Sequence, residues 1–412
     1  MRPMANDPFR VLLYSHDSVG LGHTRRNLAL AHALADQLPA RTGRPVTGML
    51  VTGVGHGTSL DLPDGFDVVM LPGVQKTGAG YRPRHVQVPM ADLIDIRGRM
   101  LKGVVGGFSP DLIIVDRHAY GVDGELRTTL ADVRRWSPQT TVVLGLREVL
   151  DEPEATDREW ERLGDLGEFR SLFDQIWVYG DKEVHDVRTS GEVPAELADL
   201  IRYTGYLATG RHWTPEDPPT PVPFVLTMVG GGSDGVSLCL AAAQAAVPAG
   251  HQHVVVTGPQ MAEADRLSIQ AVATEGTTVV DSVPDGLAMI RRASAVVSMA
   301  GYNTVCEVMS TSTPALLVPR ELPRQEQLIR ARSLHVAGAM DLCRESELAP
   351  AQLGTWLEGA VRRSQPRDHL DRDGLDGVAS IVCQIATCPD TEPTAGLTTS
   401  LTTAQELSHV AS

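Results

Sequence analysis

Apolar residues fall along this chain in two patterns: short unbroken runs of Val, Ile and Leu, and longer stretches in which they recur at every third or fourth position. The first run, RVLLYS at 10–15, ends at a glycine-bearing turn, and helical spacing follows over 25–38. Runs at 46–51, 68–71, 112–116 and 141–144 predict further strands, with helical periodicity at 90–105 and 123–135 between them. Unbroken apolar runs belong to strands buried on both faces. Their alternation with helices predicts an α/β fold with a doubly wound parallel sheet.

The pattern stops at TPEDPPTPVP, residues 214–223, where proline fixes φ and removes ladder donors. It then restarts with a strand at 224–228, a glycine loop, a helix at 236–246, and strands at 253–257, 278–280, 295–298 and 315–318. A chain of 412 residues exceeds what one hydrophobic core holds, so two domains are expected. We read an N-terminal Rossmann-like domain at 1–207, a Pro-rich linker at 208–223, and a C-terminal Rossmann-like domain at 224–386. The Thr-, Ser- and Pro-rich tail at 387–412 has too few large apolar residues to offset ordering entropy and is expected to be disordered.

Composition narrows the partners. A net charge of −15 argues against nucleic acid, whose phosphates need a concentrated basic surface. No window holds the roughly 20 apolar residues of a membrane span. The opening MRPMANDPFRVLLYS lacks the apolar stretch of a secretory signal, so a cytoplasmic protein is expected. The five cysteines are scattered without zinc-site spacing, and no metal site is expected.

Four loops could carry chemistry, each directly after a strand, where ligands sit in doubly wound sheets. In SHDSVGLGHTRR, 15–26, His23 follows Gly20 and Gly22 at a helix start. A neutral imidazole there can take a proton from an acceptor hydroxyl, with Asp17 beside it; the competing role is a capping or core-polar histidine. In GGGSDG, 230–235, the backbone N–H groups around Gly231, Gly232 and Ser233 form an anion site, or else a plain flexible turn. In SMAGYNTVCE, 298–307, Gly301 permits close approach and Asn303 and Thr304 can cap the helix and touch phosphate. Glu307, among apolar neighbours, can accept two hydroxyl hydrogen bonds, as a ribose diol offers. In PRELPRQEQLIRA, 319–331, Glu326 and Gln327 can read sugar hydroxyls. Asp116-Arg117-His118 and Arg147-Glu148 with Asp151 also sit at strand ends, where acceptor contact competes with salt bridging as the commoner role.

The third and fourth loops, with VGLGH and GGGSDG, resemble the MurG-like group of GT-B glycosyltransferases, whose C-terminal domains are of the family 28 type. The resemblance spans most of residues 10–385, and YSHDSVGLGHTRRNLALAHAL is most similar to a less characterised branch of that group. It implies a GT-B fold, two Rossmann-like domains facing a central cleft, and inverting, metal-independent transfer from a UDP-sugar co-substrate, with an N-acetylhexosamine as the sugar, to a small-molecule or lipid acceptor. No other cofactor is implied. Glu307 would hold the donor ribose, Gly301, Asn303 and Thr304 the diphosphate, Glu326 and Gln327 the sugar, Gly231, Gly232 and Ser233 the nucleotide, and the backbone at Val283 the base. His23 would be the general base or a phosphate-side donor, with Asp17, Gly20, Gly22, Asp116 and Glu148 on the acceptor side. A UDP-sugar hydrolase or 2-epimerase of the same fold, and a non-catalytic nucleotide-sugar-binding partner protein, are the alternatives.

Overall fold

The computed structural model describes residues 7–16, 22–53, 61–77, 80–215, 217 and 220–387. Asp17 and Gly20, and the tail beyond 387, lie outside these residues. The strands are β1 (Phe9–Tyr14), β2 (Val46–Thr52), β3 (Phe66–Met70), the hairpin β4 (Val74–Thr77) and β5 (Gly80–Pro83), β6 (Leu112–Asp116), β7 (Thr141–Arg147), β8 (Gln175–Tyr179) and β9 (Ile201–Tyr203) in the N-terminal half. The C-terminal half carries β10 (Phe224–Met228), β11 (Gln252–Val256), β12 (Thr277–Val280), β13 (Ala295–Ser298), β14 (Ala315–Leu317) and β15 (Asp341–Leu342). The helices in chain order are α1 (Gly22–Thr42), α2 (Met90–Phe108), α3 (Arg127–Trp136), α4 (Pro153–Leu163), α5 (Leu166–Leu172), α6 (Val236–Gln244), α7 (Glu263–Ala271), α8 (Gly286–Arg292), α9 (Tyr302–Met309), α10 (Glu326–Val336), α11 (Pro350–Ala360) and α12 (Gly374–Thr387).

Two parallel sheets result, with strand orders β3-β2-β1-β6-β7-β8-β9 and β12-β11-β10-β13-β14-β15. The unbroken runs behave as their composition requires: every residue of β6 and of β10 is buried, because helices cover both faces. In each sheet the order reverses beside the first strand, β1 between β2 and β6, β10 between β11 and β13. Ligand crevices open at the carboxyl ends of strands at such reversals. The chain leaves those two points after β1, through Ser15 and His16, and after β10.

One expectation is corrected. The helix expected over 123–135 is broken, because Asp123 and Gly124 take left-handed backbone (φ 46° and 84°) that ends the 3₁₀ turn Val122–Gly124 before α3 begins. The last helix among the described residues, α12, packs against the N-terminal half: Leu375, Val378, Ala379 and Val382 share a buried cluster with Ala31, Leu34 and Leu38 of α1. Arg41 pairs with Asp376 and donates to Ser380 Oγ at 2.7 Å. Glycine makes this close approach possible, since a Cβ at Gly374 would stand 2.2 Å from the Gly205 carbonyl oxygen and one at Gly377 2.3 Å from that of Thr204.

Candidate active site

Helix α1 opens with Gly22 and His23, and β6, paired with β1, ends on Asp116. The Nδ1 of His23 is hydrogen-bonded to Asp116 Oδ2, and Arg26, one turn further along α1, grips the same carboxylate with Nε to Oδ1 at 2.8 Å and Nη2 to Oδ2 at 2.6 Å. Burial alone would push the Asp116 pKa up, but Arg26 and His23 together outweigh it and hold the carboxyl well below its usual range. An ionised Asp116 accepts, so Nδ1 of His23 carries a hydrogen. His23 is 25% exposed and Asp116 1%, which leaves the imidazole reachable from solvent and its partner sealed.

Two more histidines stand against this pair. The His16 ring lies 4.6 Å from that of His23 and 4.1 Å from that of His118, edge to face in both cases. Burial first, and the neighbouring cationic groups second, lower the pKa of both His16 and His118, so both are neutral near pH 7.

The C-terminal domain meets this cluster with the first turn of α9. Gly301 is the N-cap, and with no Cβ it leaves open space in front of the helix. Asn303 bridges the domains: its Nδ2 donates to the Gly22 carbonyl at 2.8 Å, and its Oδ1 accepts from Arg211 Nη2 at 3.2 Å. The Tyr302 hydroxyl donates to the Tyr179 carbonyl at 2.9 Å, and the ring lies under two guanidiniums, Arg26 at 5.5 Å and Arg330 at 5.7 Å. Thr304 is part-exposed on the same turn.

Glu307 lies a turn deeper, 6% exposed. Its Oε1 is 3.7 Å from Arg211 Nη1, while its Oε2 is buried with no hydrogen-bond partner. Burial raises its pKa, countered in part by Arg211 and Arg25. Glu326, at the start of α10, repeats the arrangement: Oε1 accepts from Arg320 Nη2 at 2.5 Å and Oε2 is buried and unmet. Gln327 accepts from the Arg320 amide at 3.2 Å. An unmet buried acceptor costs about 1–3 kcal/mol. Both carboxylates therefore hold acceptor capacity that a hydroxyl-bearing ligand would fill.

Val283 is partly buried in the loop before α8, and Ser233 is exposed in the loop before α6. The glycines beside Ser233 have a packing reason of their own. A Cβ on Gly232 (φ 93°) would stand 2.2 Å from the Thr257 carbonyl oxygen, so this loop rests directly on the backbone after β11. Gly231 is exposed, and Asp234, next to Ser233, accepts from Arg320 Nη1 at 2.8 Å.

Glu148 is not on an open acceptor face. It is fully buried, with both oxygens taken by Arg330 at 2.6 and 3.1 Å, and Arg330 also donates to the Ala300 carbonyl at 3.0 Å. Its place one residue past β7, where α10 closes over it, makes it an interdomain ion pair. Asp116 likewise faces His23 and Arg26 rather than the cleft. Sequence reasoning missed Arg211, because a cation in a polar loop carries no periodic signal, and it named Glu148 without its ion partner Arg330, which lies 182 positions away. His32, Asp61 and His212 also come within 4.8 Å of one another. One nitrogen of each ring is engaged, His32 Nε2 with the Asp61 carbonyl at 2.7 Å and His212 Nε2 with its carboxylate at 2.9 Å, and the two rings stack in parallel, fastening the linker to α1.

With this geometry the chain can be set beside known proteins. Residues 226–369 match the glycosyltransferase family 28 C-terminal domain. The chain is 27% identical over 160 residues to the UDP-N-acetylglucosamine–N-acetylmuramyl-(pentapeptide) pyrophosphoryl-undecaprenol N-acetylglucosamine transferase of Lactiplantibacillus plantarum, covering 37% of this chain and 43% of that protein. It thus spans about two fifths of the length of the curated relatives it matches first. A Methanosarcina mazei protein described as an uncharacterized glycosyltransferase is 23% identical over 315 residues, 73% of this chain and 77% of that one. The crystal structure of Acinetobacter baumannii MurG shares the fold, with a TM-score of 0.54 at 16% identity over 91% of this chain and 99% of the other. Among the described residues no helix is long and apolar enough to cross a membrane. Residues 226–369 are thus similar to the glycosyltransferase family 28 C-terminal domain, on a fold shared with MurG.

Proposed function

We propose that the protein transfers a sugar, an N-acetylhexosamine, from a UDP-sugar to a hydroxyl of a small-molecule or lipid acceptor, with inversion and without a metal. The observation that carries this reading is the pair of buried carboxylates, Glu307 and Glu326, each with one oxygen unmet, on the same side of the seam as the helix start that meets the His23–Asp116 pair. Glu307 would accept from the ribose diol and Glu326 from sugar hydroxyls. The N–H groups of α9 would face the diphosphate.

His23 Nε2 takes the proton of the acceptor hydroxyl as its oxygen bonds to the anomeric carbon. The bond from that carbon to the diphosphate oxygen breaks, and the diphosphate leaves with the electron pair. Asp116 fixes the tautomer and balances the imidazolium that forms. The test is UDP release from UDP-N-acetylglucosamine across a panel of hydroxyl acceptors, for wild type and His23→Ala. Release that needs an acceptor and falls about 100-fold in the variant supports transfer. Release at full rate with no acceptor, leaving free or epimerised sugar, contradicts it and favours a hydrolase or 2-epimerase.

A further inference from the structure

Four guanidiniums converge where β6 and β7 end against α9 and α10: Arg26, Arg117, Arg147 and Arg330. Three are neutralised, Arg26 by Asp116, Arg117 by Glu159 and Arg330 by Glu148. Arg147 is not. No hydrogen bond or ion pair reaches its guanidinium among the described residues, and its Nε is buried without a partner. Glu326 attracts it from a distance, but Glu326 is held by Arg320. Burial first, then Arg330, Arg26 and Arg117, lower the Arg147 pKa to about 9.

Its position is fixed by its neighbours. In the β7–β8 ladder Arg147 lies opposite Tyr179, whose carbonyl accepts from Tyr302 at the start of α9. The next residue, Glu148, holds Arg330, which donates to the Ala300 carbonyl in the turn before α9. Arg147 is therefore bracketed on both sides by contacts to the helix start assigned above to the diphosphate. Arg147 is only part-buried, so its guanidinium, without a protein counter-charge, is free to meet an anionic ligand.

We infer that Arg147 is an oxyanion ligand contributed by the N-terminal domain, which grips the donor diphosphate from the side opposite α9. The inference rests on the nucleotide-sugar reading for the source of the anion. The planar fork of arginine suits two phosphoryl oxygens at once, and its charge opposes the negative charge that the diphosphate gains as it leaves.

The test compares wild type, Arg147→Gln and Arg147→Lys by calorimetric titration with UDP, uridine and inorganic pyrophosphate, and by thermal unfolding without ligand. Expected are a loss of about tenfold or more in UDP affinity in Arg147→Gln, partial rescue in Arg147→Lys, unchanged uridine affinity, and unliganded stability equal to or above wild type. Unchanged UDP affinity in a folded Arg147→Gln protein overturns the inference, as does a drop in unliganded stability with UDP and uridine affinity falling together. Wild type that binds neither UDP nor uridine would instead sink the nucleotide reading. Pyrophosphate bound by wild type and lost in Arg147→Gln would then still uphold the anion site, and pyrophosphate ignored by both would overturn it.

Discussion

The side-chain amide of Asn303 donates to the carbonyl of Gly22 at 2.8 Å, so the first turn of α9 is bonded to the residue directly before His23. The proposed base and the proposed diphosphate-binding turn are held in register by one side chain from across the seam. Asn303→Ala removes this bond and the one to Arg211, both partly solvated, so stability should fall by only about 1 kcal/mol. UDP release should fall much further, because a base displaced by an ångström loses its reach. Denaturant unfolding and initial rates on the same preparation check this; equal small losses in both would reduce Asn303 to a surface contact.

The Glu148–Arg330 pair should matter for stability rather than for acceptor choice. Both side chains are buried, so removing one leaves the other charge uncompensated, at a cost of about 3–5 kcal/mol. Glu148→Gln and Arg330→Met should each lower the unfolding midpoint sharply. The double variant should recover part of the loss, giving a large coupling term in a double-mutant cycle.

Glu307→Gln should separate binding from folding. The neutral amide relieves a buried carboxylate whose pKa is already pushed up by burial, so the unliganded protein should be as stable as wild type or more so. UDP affinity should fall about tenfold while inorganic pyrophosphate binding stays unchanged, because the carboxylate is assigned to the ribose. Equal losses for both probes would place Glu307 elsewhere.

The buried histidines set an acid limb. His16 and His118 are held neutral by burial, and burial lowers His253 to about 4. Each folded pKa lies below the unfolded value of about 6.5, so above that pH they contribute nothing to pH dependence. Below it the unfolded chain takes up protons that the folded chain does not, and stability falls by up to about 1.4 kcal/mol per pH unit for each group until its folded pKa is reached. His253→Gln should flatten the loss between pH 6.5 and 4, measured as unfolding free energy against pH, relative to wild type.

The sheets were legible because their strands are unbroken Val, Ile and Leu runs, whereas β9 and β15, at three and two residues, are too short to show a pattern. The strand β8, QIWVY, hides its burial behind Trp and Tyr. His23 stood out at a helix start and Asp116 at a strand end, but their pairing across 93 positions is a tertiary fact that neither segment encodes alone. The return of α12 onto α1, and the arginines gathered at the seam, were hidden for the same reason. Their partners lie far off in sequence, and a single cation in a loop looks the same whether it meets water, a carboxylate or a ligand.

The central claim is that this seam holds a UDP-sugar, and thermal unfolding with UDP-N-acetylglucosamine and other UDP-sugars measures it most directly. Selective binding to the folded chain should raise the midpoint, with stabilisation reaching about 2.7 kcal/mol at 100-fold excess over Kd, and Glu307→Gln should blunt the rise. An unchanged midpoint with every UDP-sugar at millimolar concentration would contradict the account.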